Sequence, residues 1–241
     1  VKDAPDDDVQ DTISSIVNNH NPLKRTILGT PESLMGISRD AMVDYYRKRY
    51  ARDGIVIAIA GNFDEDALVS FCEDKLNSLN TGLPDTKRVI LPYEPQFCVS
   101  VKDIEQTHLC LATPTVSSKD DMYYAFALMN NIFGGSMSSR LFQSIREQKG
   151  LAYTVCSMNS CNSFSGFFNI YAGIAHDKLE ETVQEIKNEL YKLVTEGVTD
   201  EELEMAKTQA ETSFIFSLEN TSTLMFSLGR YKLLLNELFS V

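Results

Sequence analysis

No apolar run in this chain approaches the roughly 20 residues needed to cross a bilayer, so no membrane-spanning helix is expected. Its first residues, VKDAPDDDVQD, have neither a basic stretch nor an apolar core, and no signal peptide is expected. Basic residues are scarce: 22 Lys and Arg stand against 34 Asp and Glu, a net charge of −12. That balance argues against a nucleic-acid surface, which needs a basic stripe, while leaving long-range attraction for cationic peptides. Cysteine is odd in number and scattered, at Cys72, Cys98, Cys110, Cys156 and Cys161. No pair has metal-hook or redox spacing, so the five read as buried free thiols in a reducing compartment, by default the cytoplasm.

Other motifs fail on inspection. Asp6-Asp7-Asp8 lacks the alternating acidic positions of a calcium loop and reads as the acidic start of a helix carrying Val9, Ile13, Ile16 and Val17. Gly61-Asn62 lacks the remaining glycines of a phosphate loop. His20 reads as a helix-end or loop residue, His108 as a sheet-surface residue and His176 as a helix-start cap, and spacing assembles no catalytic triad.

What remains is a regular alternation of elements. Helices are expected from Pro31 and after Ser38, and from Asp64 with Leu68, Phe71, Cys72 and Leu76 inward. Gly54-IVIAIA-Gly61 reads as a continuous apolar strand buried on both faces. Residues 79–96 hold three of the seven prolines and read as a linker. Strands are expected at 97–102 and 107–113, then a helix carrying Tyr124, Leu128 and Ile132. Residues 151–173 read as an antiparallel hairpin around the polar connector 159–165. His176-Asp177 opens a long amphipathic helix with Leu179, Val183, Ile186, Leu190 and Leu193 inward, closed by Gly197. Thr199 to Glu202 is a capping box for the next helix, Asn220 interrupts, and a last helix runs to the end without a C-cap. Gly54–Leu76 and Gly166–Leu190 echo each other, each a strand between two glycines, an acidic turn and an amphipathic helix. The fold class is α+β, long helices covering one face of a largely antiparallel sheet.

The most informative stretch is Asn130 to Ser157, NNIFGGSMSSRLFQSIREQKGLAYTVCS. A helix ends at Gly134-Gly135, Ser136 and Ser138 offer caps for the next one, and Leu141, Ile145 and the stem of Gln148 share a face. Gly150 suits the left-handed position that closes that helix. Tyr153 follows Arg146 by seven residues across this turn, which can present two donors to one carbonyl oxygen.

GGSMSSRLFQSIREQKGLAY resembles the C-terminal-domain signature of the pitrilysin/insulinase-type metallopeptidases, the inverzincins, which include the mitochondrial processing peptidases. DAPDDDVQD, NPLKRTILGTPESL and RYARDGIVIAIAGNFDEDAL resemble the second half of that family's N-terminal catalytic domain, in the family's order. The resemblance implies two similar α+β domains in a clamshell. Residues 1–78 would be the back half of the first, 79–96 the linker, and 97–241 most of the second, substrate-contacting domain. It implies that Arg146 orients the substrate and Tyr153 stabilises the oxyanion.

The family holds zinc with an inverted His-x-x-Glu-His and a downstream glutamate, and no two of His20, His108 and His176 are close enough to form that motif. The resemblance therefore implies zinc in a longer parent and none bound by this chain, which would begin just past the zinc site. Implied partners are a peptide substrate and either the remaining N-terminal half-domain or an active subunit, with a homodimer open and neither nucleic acid nor membrane involved. A catalytically inactive homologue serving as partner subunit or scaffold is the alternative. A run of several glycines would suggest the processing-peptidase partner subunit, and only Gly134-Gly135 is present, which favours the single-chain or homo-oligomeric bacterial type in the cytoplasm over a mitochondrial matrix protein.

Overall fold

The computed structural model describes residues 4–82 and 93–236. Helix α1 (Pro5–Val17) starts with proline in its first turn and carries Asp6, Asp7 and Asp8 against the positive end of its dipole. A reciprocal Thr30–Ser33 capping box opens α2 (Pro31–Met35), Ser38 caps α3 (Arg39–Arg49) and Asp64 caps α4 (Glu65–Leu76). Strand β1 (Thr107–Thr115) and helix α5 (Tyr123–Asn130) follow. Two π-helical segments, Asn131–Gly135 and Phe142–Gln148, come next. The hairpin of β2 (Ala152–Cys161) and β3 (Gly166–Ile174) leads to α6 (Leu179–Glu196), α7 (Asp200–Glu219) and α8 (Thr221–Leu235).

The three strands form one antiparallel sheet in the order β1-β3-β2, and the protein is an α+β fold. Two compact units divide the chain: Val1–Ile27 with Val89–Ala210, and Leu28–Arg88 with Glu211–Val241. In the first, one face of the sheet builds the core. Phe168, Ile170, Ala172 and Ile174 of β3 meet Phe133, Leu141, Ile145 and Ile186 from the helical side. Helix α1 lies on the opposite face, where Gln10 accepts a hydrogen bond from Asn169 at 2.8 Å. Covered on both sides, β3 buries Asn169 as deeply as its apolar neighbours. In the second unit α8 lies against the extended 55–60 segment, since a Cβ on Gly229 would come within 3.1 Å of the Ala58 Cβ.

Four expectations change. Gly54–Gly61 is extended but forms no strand ladder among the described residues, and Ile57 is half exposed rather than buried on both faces. Residues 97–102 likewise pair with no strand among the described residues, and Phe97 and Val101 are more than nine-tenths exposed. Apolar β-branched runs carry the propensity for a strand, whereas the strand itself requires a neighbour's hydrogen bonds. Phe71 and Tyr124 face solvent, so α4 and α5 bury narrower stripes than their apolar content suggests. The last helix does have a cap: it ends at Leu235, with Asn236 in the left-handed region at φ 58°. Part of the expected linker, residues 83–92, lies outside the described residues.

Two glycines in the 130–157 stretch do different work. Gly134 passes so close to β2 that an added Cβ would sit 2.5 Å from the Ser157 Oγ and 2.6 Å from its backbone nitrogen. Gly150 has open space around it and is required for its backbone, φ 61°. Within the same stretch, Arg140 clamps the α6–α7 turn: its guanidinium donates to both carboxylate oxygens of Glu202, at 2.6 and 2.7 Å, and to the Gly197 carbonyl at 2.8 Å. The same carboxylate accepts from the Thr199 backbone N–H at 2.8 Å, and the Thr199 hydroxyl accepts from the Glu202 N–H, completing the capping box.

Overpacking against β2 should make Gly134→Ala cost about 2–3 kcal/mol, against about 1 kcal/mol of backbone strain for Gly150→Ala. Urea midpoints of the two variants should fall in that order. The hydrogen bond from Arg140 outweighs desolvation and, with those from Thr199, holds the Glu202 carboxyl at about 2 rather than its ordinary 4.5. Because the folded value is depressed, the stabilisation is complete above about pH 4.5 and is lost as pH falls toward 2, by at most about 3 kcal/mol. Urea midpoints taken between pH 6 and 3 should fall less steeply for Glu202→Gln than for the wild type.

Candidate functional site

Arg146 lies on the π-helical segment Phe142–Gln148 and Tyr153 at the start of β2. Each is the exposed neighbour of buried residues: Ile145 precedes Arg146, and Leu151 and Ala152 precede Tyr153. The chain reverses between them through Gly150, where the Lys149 N–H donates to the Ser144 carbonyl at 3.2 Å and the Leu151 N–H to the Ile145 carbonyl at 2.8 Å. The left-handed Gly150 closes the helix at the position expected of it. The expected capping by Ser136 and Ser138 is not what forms. Ser136 Oγ turns back to the Asn131 carbonyl at 3.4 Å, because the preceding π turn leaves that carbonyl without its usual helical donor. Gln148 is exposed, and the buried face of this helix is made by Leu141, Ser144 and Ile145.

Pairing between β2 and β3 slips at the mouth of this turn. Ala152 faces Ile174 and Thr154 faces Gly173, which leaves Tyr153 as the extra residue of a bulge. A bulged residue is free of the alternation that would send its side chain into the core or under α1, and Tyr153 is 61% exposed. Its hydroxyl has no hydrogen-bond partner among the described residues. The Arg146 guanidinium stacks over the Phe142 ring at 4.9 Å and lies 3.9 Å from the Glu147 carboxylate. The two candidate side chains thus leave one turn from opposite ends and share neither hydrogen bond nor ring contact among the described residues.

Beneath Arg146 lies a polar layer that hydrophobic spacing did not reveal. The inward stripe of α6 was expected at Leu179, Val183, Ile186, Leu190 and Leu193, whereas the most deeply buried residues are Thr182, Glu185, Ile186 and Glu189. Two carboxylates therefore lie inside beside the expected stripe, of which Ile186 is buried and Leu190 and Leu193 pack partly buried against the core. Glu185 accepts from Ser144 Oγ at 2.5 Å, Lys149 Nζ at 2.5 Å and Asn188 Nδ2 at 3.1 Å. Desolvation pushes its carboxyl upward, and those three hydrogen bonds outweigh it, leaving it at about 2. Glu189 accepts from Lys192 Nζ at 2.7 Å. No sequence signal marks this burial: at helical spacing the glutamates of EETVQEIKNEL fall outside the helix's apolar stripe.

The histidines stay apart, each with its own partner. His20 meets Glu94 at 3.3 Å, His108 meets the Tyr171 hydroxyl at 2.9 Å, and His176 lies between Thr107 Oγ1 at 2.8 Å and the Ile104 carbonyl at 3.0 Å. The last is a tether between loops rather than the expected helix cap. Among the described residues no group of three or more His, Cys, Asp and Glu could hold a metal ion, so these residues do not fit a zinc site. All five cysteines are free, but Cys98 is exposed and the other four are half-buried, because the apolar segment around Cys98 has no strand beside it. Burial, reinforced by Cys156, pushes the Cys110 thiol up to about 12, too high for a nucleophile at neutral pH. No helix among the described residues is long and apolar enough to cross a membrane.

Residues 36–210 match the family model described as the peptidase M16 inactive domain. The chain is 36% identical over 236 residues to YmxG of Bacillus subtilis, named an uncharacterized zinc protease, covering 98% of this chain and 58% of that protein. It is 38% identical over 234 residues to an uncharacterized zinc protease of Rickettsia felis, covering 95% and 55%. The chain spans about half the length of the curated relatives it matches. Among solved structures, the peptidase M16 inactive domain from Pseudomonas fluorescens superposes with a TM-score of 0.85 at 23% identity, covering 98% of this chain and 57% of that one. A chain of Complex III2 from Candida albicans superposes with a TM-score of 0.78 at 20% identity, covering 97% and 58%. Fold and sequence agree: this chain belongs to the peptidase M16 family, matching the part described as its inactive domain.

Proposed function

We propose that this chain is the part of a zinc-dependent metalloendopeptidase that presents Arg146 and Tyr153 to a peptide substrate. In this reading residues 1–78 complete the parent's first domain, 79–96 link, and 97–241 form most of the second. The metal and its ligands belong to the remainder of the parent, since none of the described residues of this chain suits them. The observation that carries the reading is the contrast between scaffold and side chains. Ile145, Leu151 and Ala152 anchor the turn in the core, while the Tyr153 hydroxyl is exposed and uncommitted. Arg146 offers planar donors to a peptide carbonyl, and Phe142 supports its guanidinium from one side. Tyr153 O–H donates to the carbonyl oxygen as that oxygen gains negative charge, which lowers the barrier more than it tightens ground-state binding. Substrates are peptides or unfolded polypeptides, whose free backbone can be held by such donors. The lack of any paired cysteine supports a reducing compartment, the bacterial cytoplasm, for the parent.

A second reading makes the parent a non-catalytic partner or scaffold for an active subunit. The family description "inactive domain" favours it, and the same Arg146 and Tyr153 would then serve the active subunit's substrate. The parent's sequence upstream of Val1 separates the two. An intact His-x-x-Glu-His followed by a glutamate supports the enzyme, and a motif with those residues replaced supports the partner.

Tyr153→Phe in the full-length protein, assayed on an unfolded polypeptide, should lower kcat by roughly 10²–10³ with KM little changed. Arg146→Ala should lower kcat/KM by at least as much, because it also loses orientation. Unchanged turnover in both variants would remove these roles.

A further inference from the structure

The turn that carries Arg146 is built in a way that needs an external fastening. Phe142–Gln148 is π-helical, a form that is rare and usually confined to a single turn. It is closed by the five-residue hydrogen bond from the Lys149 N–H to the Ser144 carbonyl, with Arg146 in the middle of that loop. In an α-helix, residues five apart lie about 140° around the axis from each other. The wider turn brings them back to nearly the same side. Ser144 and Lys149 therefore both face α6, and one carboxylate meets both.

Glu185 Oε1 accepts from Ser144 Oγ at 2.5 Å, and Oε2 accepts from Lys149 Nζ at 2.5 Å. Asn188 Nδ2, one turn further along α6, donates to Oε2 at 3.1 Å and fixes the carboxylate from its own helix. The Glu185 side chain is 7% exposed, so the pair is shielded from water on its acidic side. Every partner of the carboxylate is a donor. A carboxamide keeps one acceptor oxygen and no charge, so it cannot accept from both Ser144 and Lys149 through two oxygens as the ionised acid does.

We propose that Glu185 is a positioning residue: its carboxylate fastens both ends of the widened turn 144–149 and thereby sets where the Arg146 guanidinium points. The proposal rests on the peptidase reading of Arg146 given above. Glu185 touches no substrate; it acts through the backbone that Ser144 and Lys149 hold. Losing the acid alone would leave Ser144 and Lys149 without their acceptor, so Glu185 steadies the turn as well as shaping it. A charge kept here has its effect on the geometry of the turn.

The test is a double-mutant cycle in the full-length protein: wild type, Glu185→Gln, Arg146→Ala and the double variant, each with kcat/KM on an unfolded polypeptide and a thermal midpoint. Glu185→Gln should lower kcat/KM by about 10- to 100-fold and have no further effect once Arg146 is alanine, while its cost in thermal midpoint is the same in both backgrounds. An activity loss that persists in the Arg146→Ala background would overturn the proposal and leave Glu185 a purely structural residue. So would wild-type activity in Glu185→Gln beside a loss in Arg146→Ala. Lys149→Met, which removes one fastening and leaves the acid in place, should show the same pattern to a smaller degree and covers the case in which Glu185→Gln does not fold. If Arg146→Ala keeps full activity, the peptidase role of Arg146 fails on its own account. The Arg146 Nε–Hε resonance, assigned by its loss in Arg146→Lys, then decides the positioning role: a shift or broadening in Glu185→Gln upholds it, and an unchanged signal overturns it.

Discussion

One close approach governs the core of the first unit. The backbone at Gly134 touches the backbone of β2 at Ser157, closer than any side chain could allow. Ser157 completes the seam by donating to the Asn130 side-chain carbonyl at 2.8 Å. With α5 drawn onto the sheet in this way, Phe133 reaches Phe168, their ring centroids 6.0 Å apart. The segment that follows must then turn within a few residues to bring Leu141 and Ile145 over the same strands. Two π-helical segments take up the mismatch between helical rise and the distance to be covered. The irregular stretch is thus a consequence of a regular requirement, a helix docked by its backbone on a sheet.

Polar groups then appear inside because the wide turns leave backbone and hydroxyl groups without helical partners. Arg140 with Glu202 binds the beginning of the motif helix to the α6–α7 turn, and Ser144 and Lys149 with Glu185 bind its end to α6. The helix is pinned at both ends by charge-assisted hydrogen bonds, and between them by apolar contacts of Leu141 and Ile145. Such bonds are directional where burial is not. Burial of Leu141 and Ile145 stabilises the helix along its length, and the charge-assisted hydrogen bonds at its ends fix its direction.

Much of this was legible in the sequence, and the parts that were not have a common cause. Helix starts were readable at Ser38, Asp64 and Thr199 because a cap is a local interaction between a side chain and a backbone three residues away. Gly150 and the 151–173 hairpin were readable for the same reason. Pairing is not local: IVIAIA carries every mark of a strand, yet it has no ladder among the described residues. The Tyr153 bulge was equally hidden, since it depends on the register of β2 against β3. Arg146 and Tyr153 themselves came from resemblance. Their types and spacing match, but nothing in the spacing alone distinguishes them from a surface arginine and a strand tyrosine.

The α6 stripe shows how hydrophobic periodicity can mislead at a site. Its apolar residues do recur at helical spacing, and Ile186 is fully buried. Yet Thr182, Glu185 and Glu189 are buried alongside it, while Leu179 is 40% exposed. Leu190 and Leu193 still pack against the same core, and rotating the helix further to bury Leu179 would carry Glu185 away from Ser144 and Lys149. It would also leave the donors of the widened turn unmatched at the edge of the core, where an unsatisfied polar group costs about 1–3 kcal/mol. Burying two acids with their donors is therefore the consistent solution once the turn has π-helical geometry. The local rule that α6 breaks is the counterpart of the irregularity beside it.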